Sequence, residues 1–452
     1  MFWQGLNCCY PGEINLMTNG KLAQGNTALK LYTFLFLTCF TLFWGLYKWT
    51  GLGLFSYMAA DFTLFLVAAV FTVAIILQDG GRVRFKRGCG LFAGLFLLTC
   101  AGVVNTGLVA TAQPLYLTLS EAFPFISVCL EAFVLSRLIR NKTDLDYFLD
   151  AIESASIIVA CFSIFQFALY PSLIIFPTDA LPLRNGLPRL FIGGGSILSI
   201  GGLISMGNLF SCRDSKRRSL LNLILVFLTL ILVRQARSKT IYLVFTLLVG
   251  VLSVSNIPKA VRFAVYAGMV GLLILGLLYT DGSLILSSIA EADVGIEARL
   301  DGIQFFLDKF KEYPVLGMGF ITTSGNIDPV SYSLLCSPSG YRYDRSDVGI
   351  FGVLNLLGIM GVIWYGAFLR RIGRNAKLVR FANGHVHGKL IFWYLVITSA
   401  NLIVMTMQMS MMIALTVVMT DKMLEFSVPE QKGGSYERNQ YRFVWGQPAI
   451  GQ

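Results

Sequence analysis

The residues of this chain best suited to chemistry are arginines and carboxylates that lie between long apolar segments. The planar fork of arginine binds phosphate through two hydrogen bonds and keeps its charge at any relevant pH. A nearby carboxylate can accept a proton from an attacking hydroxyl group. Together these groups suit a reaction in which a phosphorylated group leaves. The arginines are Arg184, Arg189, Arg234, Arg237, Arg299, Arg342 and Arg345, and the carboxylates are Glu297, Asp344 and Asp347.

The segments that must position these residues are those of a membrane protein. Hydrophobic residues make up 55% of the 452 and charged residues only 13%, whereas soluble proteins have about 25% charged residues. Apolar stretches of about 20 residues recur, which is the length of a membrane-spanning helix. We therefore expect an all-α polytopic membrane protein with about twelve spans, or eleven if the last two form one tilted helix. The predicted spans lie near 31–48, 54–78, 91–110, 112–136, 152–176, 190–210, 219–233, 240–256, 263–280, 347–369, 390–407 and 409–425.

Basic residues are concentrated after every even-numbered span. In membrane proteins, short loops rich in lysine and arginine stay in the cytoplasm. The pattern predicts a cytoplasmic N-terminal tail, 1–30, a membrane domain, 31–425, and a polar C-terminal tail, 426–452. It also accounts for the net charge of +11 without a nucleic-acid partner. The basic clusters lie at 82–87, 137–142, 213–218, 259–262 and 370–380.

With this orientation, residues 281–346 form one long extracytoplasmic loop before the tenth span. Its spacing predicts a helix over 296–311, on which Arg299, Phe306 and Phe310 share one stripe. Such an amphipathic helix lies in the membrane interface, with its apolar face against lipid or the helix bundle. The arginines listed above fall on the same side as this loop, against the general bias, and this favours a site for an anionic substrate.

Simpler roles for these residues stay open. Arginines near the ends of spans also extend to lipid headgroups with no further role, and Arg342 and Arg345 can form solvated ion pairs with Asp344 and Asp347. Asp347 can also cap the helix that follows it. Neither a disulfide framework nor a zinc site is expected, because the cysteines are scattered without a C-x-x-C spacing. No metal is required if the arginines stabilise the leaving group, and a magnesium site made of carboxylates alone would leave no signal in the sequence.

Two stretches resemble the diagnostic region of the O-antigen ligase and polymerase superfamily: RLDGIQFFLDKFKEYPVLGMGF, and after a loop SDVGIFGVLNLLGIMGVIWYG. In that superfamily an arginine-led amphipathic helix runs into a Pro-x-x-Gly-x-Gly-Phe turn, which here contains Gly317 and Gly319. The following span carries a Leu-x-x-x-Gly-x-x-Gly-like signature, here with Leu354, Gly358 and Gly361, whose glycines are expected to allow close helix packing. The resemblance covers about residues 180–370.

Within the superfamily the chain looks most like the Wzy-type polysaccharide polymerases of O-antigen, capsule and exopolysaccharide loci. RQARSKT, with Arg237, is similar to the Ser-Arg-type motif that precedes a span in these families. The ligase branch usually has a His-Asn pair where this chain has Ser346-Asp347. The two histidines, His385 and His387, fall in a loop predicted to be cytoplasmic, so the polymerase branch is favoured.

The resemblance implies a GT-C-type glycosyltransferase of the bacterial inner membrane that joins undecaprenyl-pyrophosphate-linked oligosaccharides without a cofactor. A chain-length regulator and a flippase are its implied partners, besides membrane lipid. Arg237 and Arg299 would act on the pyrophosphate, and Asp347 would be the base. The remaining candidate substrate-binding residues are Arg184, Arg189, Arg234, Asp344, Arg345, Glu297, Gly317 and Gly319.

Three alternatives remain. An O-antigen ligase would transfer the lipid-linked glycan to a different acceptor. A lipid-linked oligosaccharide flippase, which is a transporter, would also need about twelve spans. A cell-wall glycosyltransferase of the shape, elongation and division type has a related late outer loop, but its motifs match less well.

Overall fold

The computed structural model describes most of the helical part of the chain. Residues outside the described ranges include all of the predicted ninth span, 263–280, except residue 268, the end of the first span beyond residue 39, and most of both tails. The described residues are 26–39, 55–79, 89–170, 172–173, 179–184, 187–191, 195–210, 216–254, 268, 293–322, 328–337, 340, 342–383, 386–400, 405 and 410–427.

The described chain is helical, with one short two-stranded sheet. The helices and strands in chain order are α1 (Thr27–Thr38), α2 (Phe55–Gln78), α3 (Cys89–Val109), α4 (Leu115–Leu138), α5 (Lys142–Leu169), β1 (Asp179–Arg184), β2 (Leu187–Phe191), α6 (Gly195–Phe210), α7 (Lys216–Leu228), α8 (Arg237–Val254), α9 (Asp293–Glu312), α10 (Pro329–Ser333), α11 (Ile350–Asn383), α12 (His387–Thr398) and α13 (Met411–Glu425). A π-helical turn, Thr229–Val233, continues α7, and a 3-10 turn, Arg345–Asp347, precedes α11.

Within the described residues, four helices are long and apolar enough to cross a membrane: Gly90–Val109, Leu115–Leu138, Lys142–Leu169 and Ile350–Val379. Shorter apolar helices accompany them. Large apolar side chains such as Leu108, which is 74% exposed, and Leu77, which is 72% exposed, lie on the outer surfaces of these helices. Apolar surface of this kind belongs against lipid, so the fold is that of a helical membrane protein, as the sequence predicts.

The helices pack as two connected groups. In the first, α4 packs against α2, α3 and α13, and α11 packs against α3, α12 and α13. In the second, α5, α6 and α7 pack together, and α6 and α12 contact α8. Clusters of basic residues lie at one set of helix ends, with Arg137 and Lys377 at the ends of α4 and α11 and Lys142 and Lys216 at the starts of α5 and α7. We call these the basic ends of the helices and their opposite ends the site ends.

The structure differs from the predicted spans at several boundaries. Helix α5 begins at Lys142 rather than near residue 152, because Asn141 caps it: its side chain accepts a hydrogen bond from Asp144 N at 2.8 Å. Charged residues in that first turn lower its hydropathy and hid it from a search for apolar windows. The predicted span 190–210 starts instead at Gly195, since residues 187–191 form β2, which pairs antiparallel with β1.

The apolar run over 390–425 forms two helices rather than one tilted helix. Helix α12 ends at Thr398, and α13 begins at Met411. The chain after α12 contacts the start of α11, where Ile350 N donates to Ser399 O at 3.0 Å. Arg371 at the basic end of α11 then holds α13 through two hydrogen bonds to Asp421, at 3.1 and 2.8 Å.

Helix α11 is broken at Gly358, whose backbone has φ 61° and ψ −157°. Gly358 was expected to allow close helix packing; a close approach is present, but it is made by the backbone of residues 315–317 at a break in the helix. Residues 314–320, which we call the clasp, run along the break. Ile359 N donates to Pro314 O at 2.9 Å, and Met318 N and Gly319 N donate to the carbonyls of residues 355 and 356 at 2.6 and 3.0 Å. The clasp thus satisfies backbone groups that a break in a membrane helix would otherwise leave unpaired.

The glycines at this contact are required by geometry. Gly317 and Gly319 both have positive φ, 64° and 79°. A methyl group on Gly317 would lie 2.7 Å from Gly358 N, and one on Gly358 would lie 2.6 Å from Gly317 N. Asn105 Nδ2 also donates to Gly317 O at 2.7 Å, which ties the clasp to α3.

We expect Gly358→Ala and Gly317→Ala to destabilise the folded protein by about 3 kcal/mol or more, because each combines a strained positive φ with overlap of backbone atoms. Gly366→Ala, in the same helix with no atom within 4 Å of the added methyl group, is the control and should change stability by no more than about 1 kcal/mol. Thermal unfolding of the purified variants in detergent measures the difference. If Gly358→Ala and Gly317→Ala were both as stable as the wild type, the close backbone contact between the clasp and the break in α11 would be contradicted.

Candidate functional site

Helix α9 lies against the loop that leads into α11. Gly302 and Phe306 form its buried face, and a methyl group on Gly302 would lie 3.1 Å from the ring of Tyr343. The rings of Phe305 and Tyr343 are 5.1 Å apart. The helix predicted over 296–311 is therefore present, and its apolar face packs on the protein.

Arg299 lies one turn before Gly302 on the same face of α9 and is half-buried. Arg299 therefore lies one turn from the place where Gly302 approaches Tyr343 and Val348. The exposed face of α9 carries intrahelical ion pairs instead, such as Lys311 with Asp308 at 2.7 Å. Arg299 thus differs from the solvated charges of its own helix.

Arg345 is the arginine whose surroundings are best defined. Its Nε donates to Asn355 Oδ1 at 2.7 Å, while its Nη2 is buried without a hydrogen-bond partner. Burial lowers the pKa of Arg345 to about 10, and the charges of Glu121 on α4 and of Asp344 oppose that shift. The guanidinium is therefore cationic at neutral pH, and its unpartnered nitrogen is available to an anion.

Asn355 fixes Arg345 relative to the clasp. It is fully buried, and its Nδ2 lies 3.1 Å from Met318 Sδ. Its carbonyl oxygen accepts the hydrogen bond of Met318 N described above. The clasp, the broken helix and the arginine side chain are consequently one connected unit.

A second group of cations lies at the start of α6. The π-helical turn after α7 ends at Arg234, which is buried, and a methyl group on Gly195 would overlap the Arg234 guanidinium and lie 3.6 Å from Lys239 Nζ. Gly195 is the first residue of α6. Two cations and the positive end of the α6 dipole thus meet at one place, which suits an anion.

Asp347, the predicted base, lies in the loop that leads into α11. It lies two residues after Arg345 in the 3-10 turn, and its charge acts on Lys239. Helix α11 begins at Ile350, so Gly349 rather than Asp347 directly precedes it. The capping bond described at this turn comes from Asp344, which accepts from Ser346 N at 2.8 Å. Asp347 is exposed, and a hydroxyl substrate can reach it.

For four of the predicted site residues the structure describes the backbone but not the side chain. Arg237 begins α8, and Glu297 lies in the first turns of α9. In the hairpin, Arg189 pairs with Leu181 and Arg184 pairs with Leu187. Strand β2 contacts the π-helical turn that leads to Arg234. The hairpin therefore belongs to the same end of the bundle as the second group of cations.

Three residues of this region were not among the predicted site residues: Lys239, Glu121 and Asn355. The charge pattern predicts an extracytoplasmic position for Lys239, where basic residues are uncommon, so its charge could have identified it as a site residue. Glu121 is a carboxylate near the start of a predicted span, which is also unusual enough to notice. Asn355 has no signal in the sequence, because only the break at Gly358 brings it to the clasp.

The histidines do not join this site in the described structure. His387 begins α12 and lies 3.0 Å from Asn208 Oδ1, near the end of α6 opposite Gly195. His385 lies outside the described residues. In the described ranges, no group of three or more His, Cys, Asp or Glu side chains is close enough to hold a metal ion.

No protein-family model matches the chain, and no curated protein matches it either.

Proposed function

We propose that this protein is a GT-C-type glycosyltransferase with about twelve spans that polymerises lipid-pyrophosphate-linked oligosaccharide repeat units. The observation that carries the proposal is that Arg234 and Lys239 meet at the start of α6, while the exposed carboxylate Asp347, two residues after Arg345, acts on Lys239 through its charge. Cations at the site end suit a pyrophosphate leaving group, and a carboxylate beside them suits activation of a hydroxyl. The proposal places the site ends outside the cytoplasmic membrane and the N-terminus inside.

The proposed step forms one glycosidic bond and breaks one bond to phosphate. The nonreducing-end hydroxyl of one lipid-linked repeat attacks the anomeric carbon of the other, as Asp347 accepts its proton. The bond from the anomeric carbon to the pyrophosphate oxygen breaks, and undecaprenyl pyrophosphate leaves with both bonding electrons. Negative charge develops on that oxygen, so cations that face it lower the barrier.

The cations are proposed to contact the pyrophosphate from different positions. Arg345 offers a buried, unpartnered nitrogen, and Arg234 with Lys239 offers charge at the start of α6. Arg299, on the packed face of α9, and Arg237, at the start of α8, complete the proposed pyrophosphate site. Arg184 and Arg189 of the hairpin are proposed to contact the glycan or its phosphate from the other side.

Transport of a lipid-linked oligosaccharide is a second candidate, and one observation favours it. Glu131 on α4 and Glu153 on α5 are fully buried within helices long enough to span a membrane. Buried carboxylates inside spans are typical of transporters, where they bind protons or ions. The ligase alternative has less support, because His387 lies away from the site ends.

Glycan gels of a strain that lacks this chain test the proposal. If the chain is a polymerase, the strain that lacks it should carry glycan of a single repeat at its surface. A plasmid that supplies the chain should restore the polymer ladder. Accumulation of long polymer that is not attached to its acceptor would identify a ligase instead. Absence of any surface glycan, with lipid-linked repeats retained inside, would identify a flippase.

A further inference from the structure

A buried carboxylate that glycosyl transfer does not use lies near the basic ends of α5 and α7. Glu153 on α5 is fully buried, and Arg218 in the first turn of α7 lies 3.8 Å from Glu153 Oε2. Arg218 is 38% exposed and makes its shorter contacts elsewhere, donating to Asp150 O at 2.7 Å and to Ser154 Oγ at 2.6 Å. It therefore connects the buried carboxylate with the surface at this end of the bundle.

A chain of hydrogen bonds crosses three helices at Glu153. Ser205 Oγ on α6 lies 2.6 Å from Glu153 Oε1, and Asn222 Nδ2 on α7 lies 2.8 Å from Ser205 Oγ. With an ionised carboxylate, the amide donates to the hydroxyl, which donates to Glu153. With a protonated carboxyl, every bond can reverse after a flip of the amide, because a hydroxyl both donates and accepts. These hydrogen bonds can therefore be kept whether Glu153 is ionised or protonated.

Several polar atoms around this chain have no hydrogen-bond partner. They are Glu153 Oε2, Ser156 Oγ, Ser219 Oγ and Asn222 Oδ1, and all are buried. Glu153 and Ser156 are three residues apart on α5, as are Ser219 and Asn222 on α7, so each pair shares one helix face. Ser156 and Asn222 also approach one another across Gly201 of α6. Unpartnered polar atoms here allow a protonated carboxyl group to donate to a new acceptor.

Among the described residues, the charged side chain in contact with Glu153 is Arg218, and Asp150 lies one turn before Glu153 on its own helix. Helix α6 has no charged residue, and on α7 the contact is with Arg218. On the other helices packed against α5, the charged side chains have partners elsewhere: Lys30 of α1 lies over the ring of Tyr147, and Asp421 and Lys422 of α13 pair with Arg371 and Glu425. Arg218 is thus the charged group positioned to respond to Glu153.

We propose that Glu153 is an intramembrane proton-binding site that exchanges protons with the solvent at the basic ends of the helices, past Arg218. A proton from that solvent forms an O–H bond with a carboxylate oxygen, the ion pair with Arg218 is released, and the reverse step returns the proton. Proton-coupled movement of a substrate needs a site of this kind. The inference does not rest on the proposed polymerase reaction.

Infrared difference spectra of the full-length protein in lipid nanodiscs test this proposal. Lowering the pH from about 9 to about 4 should produce a carbonyl stretching band of a buried carboxylic acid, at a frequency distinct from that of exposed carboxyls. Glu153→Gln should remove that band, and Glu131→Gln, the matched change at a fully buried carboxylate of another span, should leave it. Ser205→Ala should shift its frequency, because the acid loses its hydrogen-bond partner.

A band that persists in Glu153→Gln, or that Glu131→Gln removes instead, would overturn the proposal. An absent band in the wild type would do the same, and so would a carboxylate band that responds to sodium chloride at fixed pH, which would indicate a cation site. If Glu153→Gln does not fold, Ser205→Ala becomes the deciding variant. A band frequency in Ser205→Ala equal to that of the wild type would then contradict the assignment of the band to Glu153.

Discussion

Replacing Asp347 with asparagine is expected to abolish polymer while leaving single-repeat glycan and a normal amount of protein in the membrane. Asparagine keeps the size of the side chain and its ability to accept a hydrogen bond, but it cannot take up the proton of the attacking hydroxyl. Loss of a general base lowers a rate by about 10²- to 10⁴-fold. Polymer length on glycan gels, at equal protein abundance by immunoblot, measures the effect.

Two further substitutions separate catalysis from local structure at this turn. Asp347→Ser keeps an oxygen that can hydrogen-bond but also lacks a base, and it should lose polymer to the same degree. Asp344→Asn is the matched control, because an asparagine oxygen can still accept the hydrogen bond from Ser346 N that Asp344 accepts now. Full-length polymer from either Asp347 variant would move the base elsewhere, with Glu121, Asp344 and Glu297 as the next residues to replace.

Replacing Arg345 with lysine is expected to reduce polymer formation by at least about 100-fold, although the charge is kept. The arginine fork holds Asn355 Oδ1 with one nitrogen and leaves another free. Lysine has a single ammonium group that cannot do both at these positions. The rate of polymer formation by isolated membranes with matched protein content measures the change.

Arg342→Lys is the matched control for Arg345, because both arginines lie in the same loop and differ in their surroundings. Arg342 lies over the ring of Tyr332, 5.6 Å from its centroid, and lysine can keep a contact of this kind. We expect at most a small loss of polymer from this variant. Equal rates for Arg345→Lys and the wild type would mean that the fork is unimportant, and the simple ion-pair role would then be preferred.

The sequence predicts the helical class and most helix positions because apolar length and period are local properties. Helix α2, predicted over 54–78 and found at Phe55–Gln78, shows how closely an uninterrupted apolar run defines a span. Helix α9 was predicted from its stripe and its proline end, and the structure has it at Asp293–Glu312. Gly317 and Gly319 were predicted to form a tight turn, and both have positive φ.

The parts that the sequence did not predict depend on contacts between distant segments. The break at Gly358 requires the clasp to pair with its backbone, and no window of the sequence contains both. The meeting of Arg234, Lys239 and Gly195 joins the start of α6 with the turn between α7 and α8. The β1–β2 hairpin was missed because its residues are few and lie beside an apolar span. The polymerase function itself remains a prediction from the resemblance and the site chemistry.

The most direct test of the central claim uses the purified protein in vesicles with a synthetic undecaprenyl-pyrophosphate-linked oligosaccharide as its sole substrate. The account predicts products of two or more repeats, with one undecaprenyl pyrophosphate released for each bond formed, and neither product in Asp347→Asn or Arg345→Lys. Movement of the intact lipid-linked oligosaccharide across the vesicle membrane, without bond formation or release of undecaprenyl pyrophosphate, would contradict it.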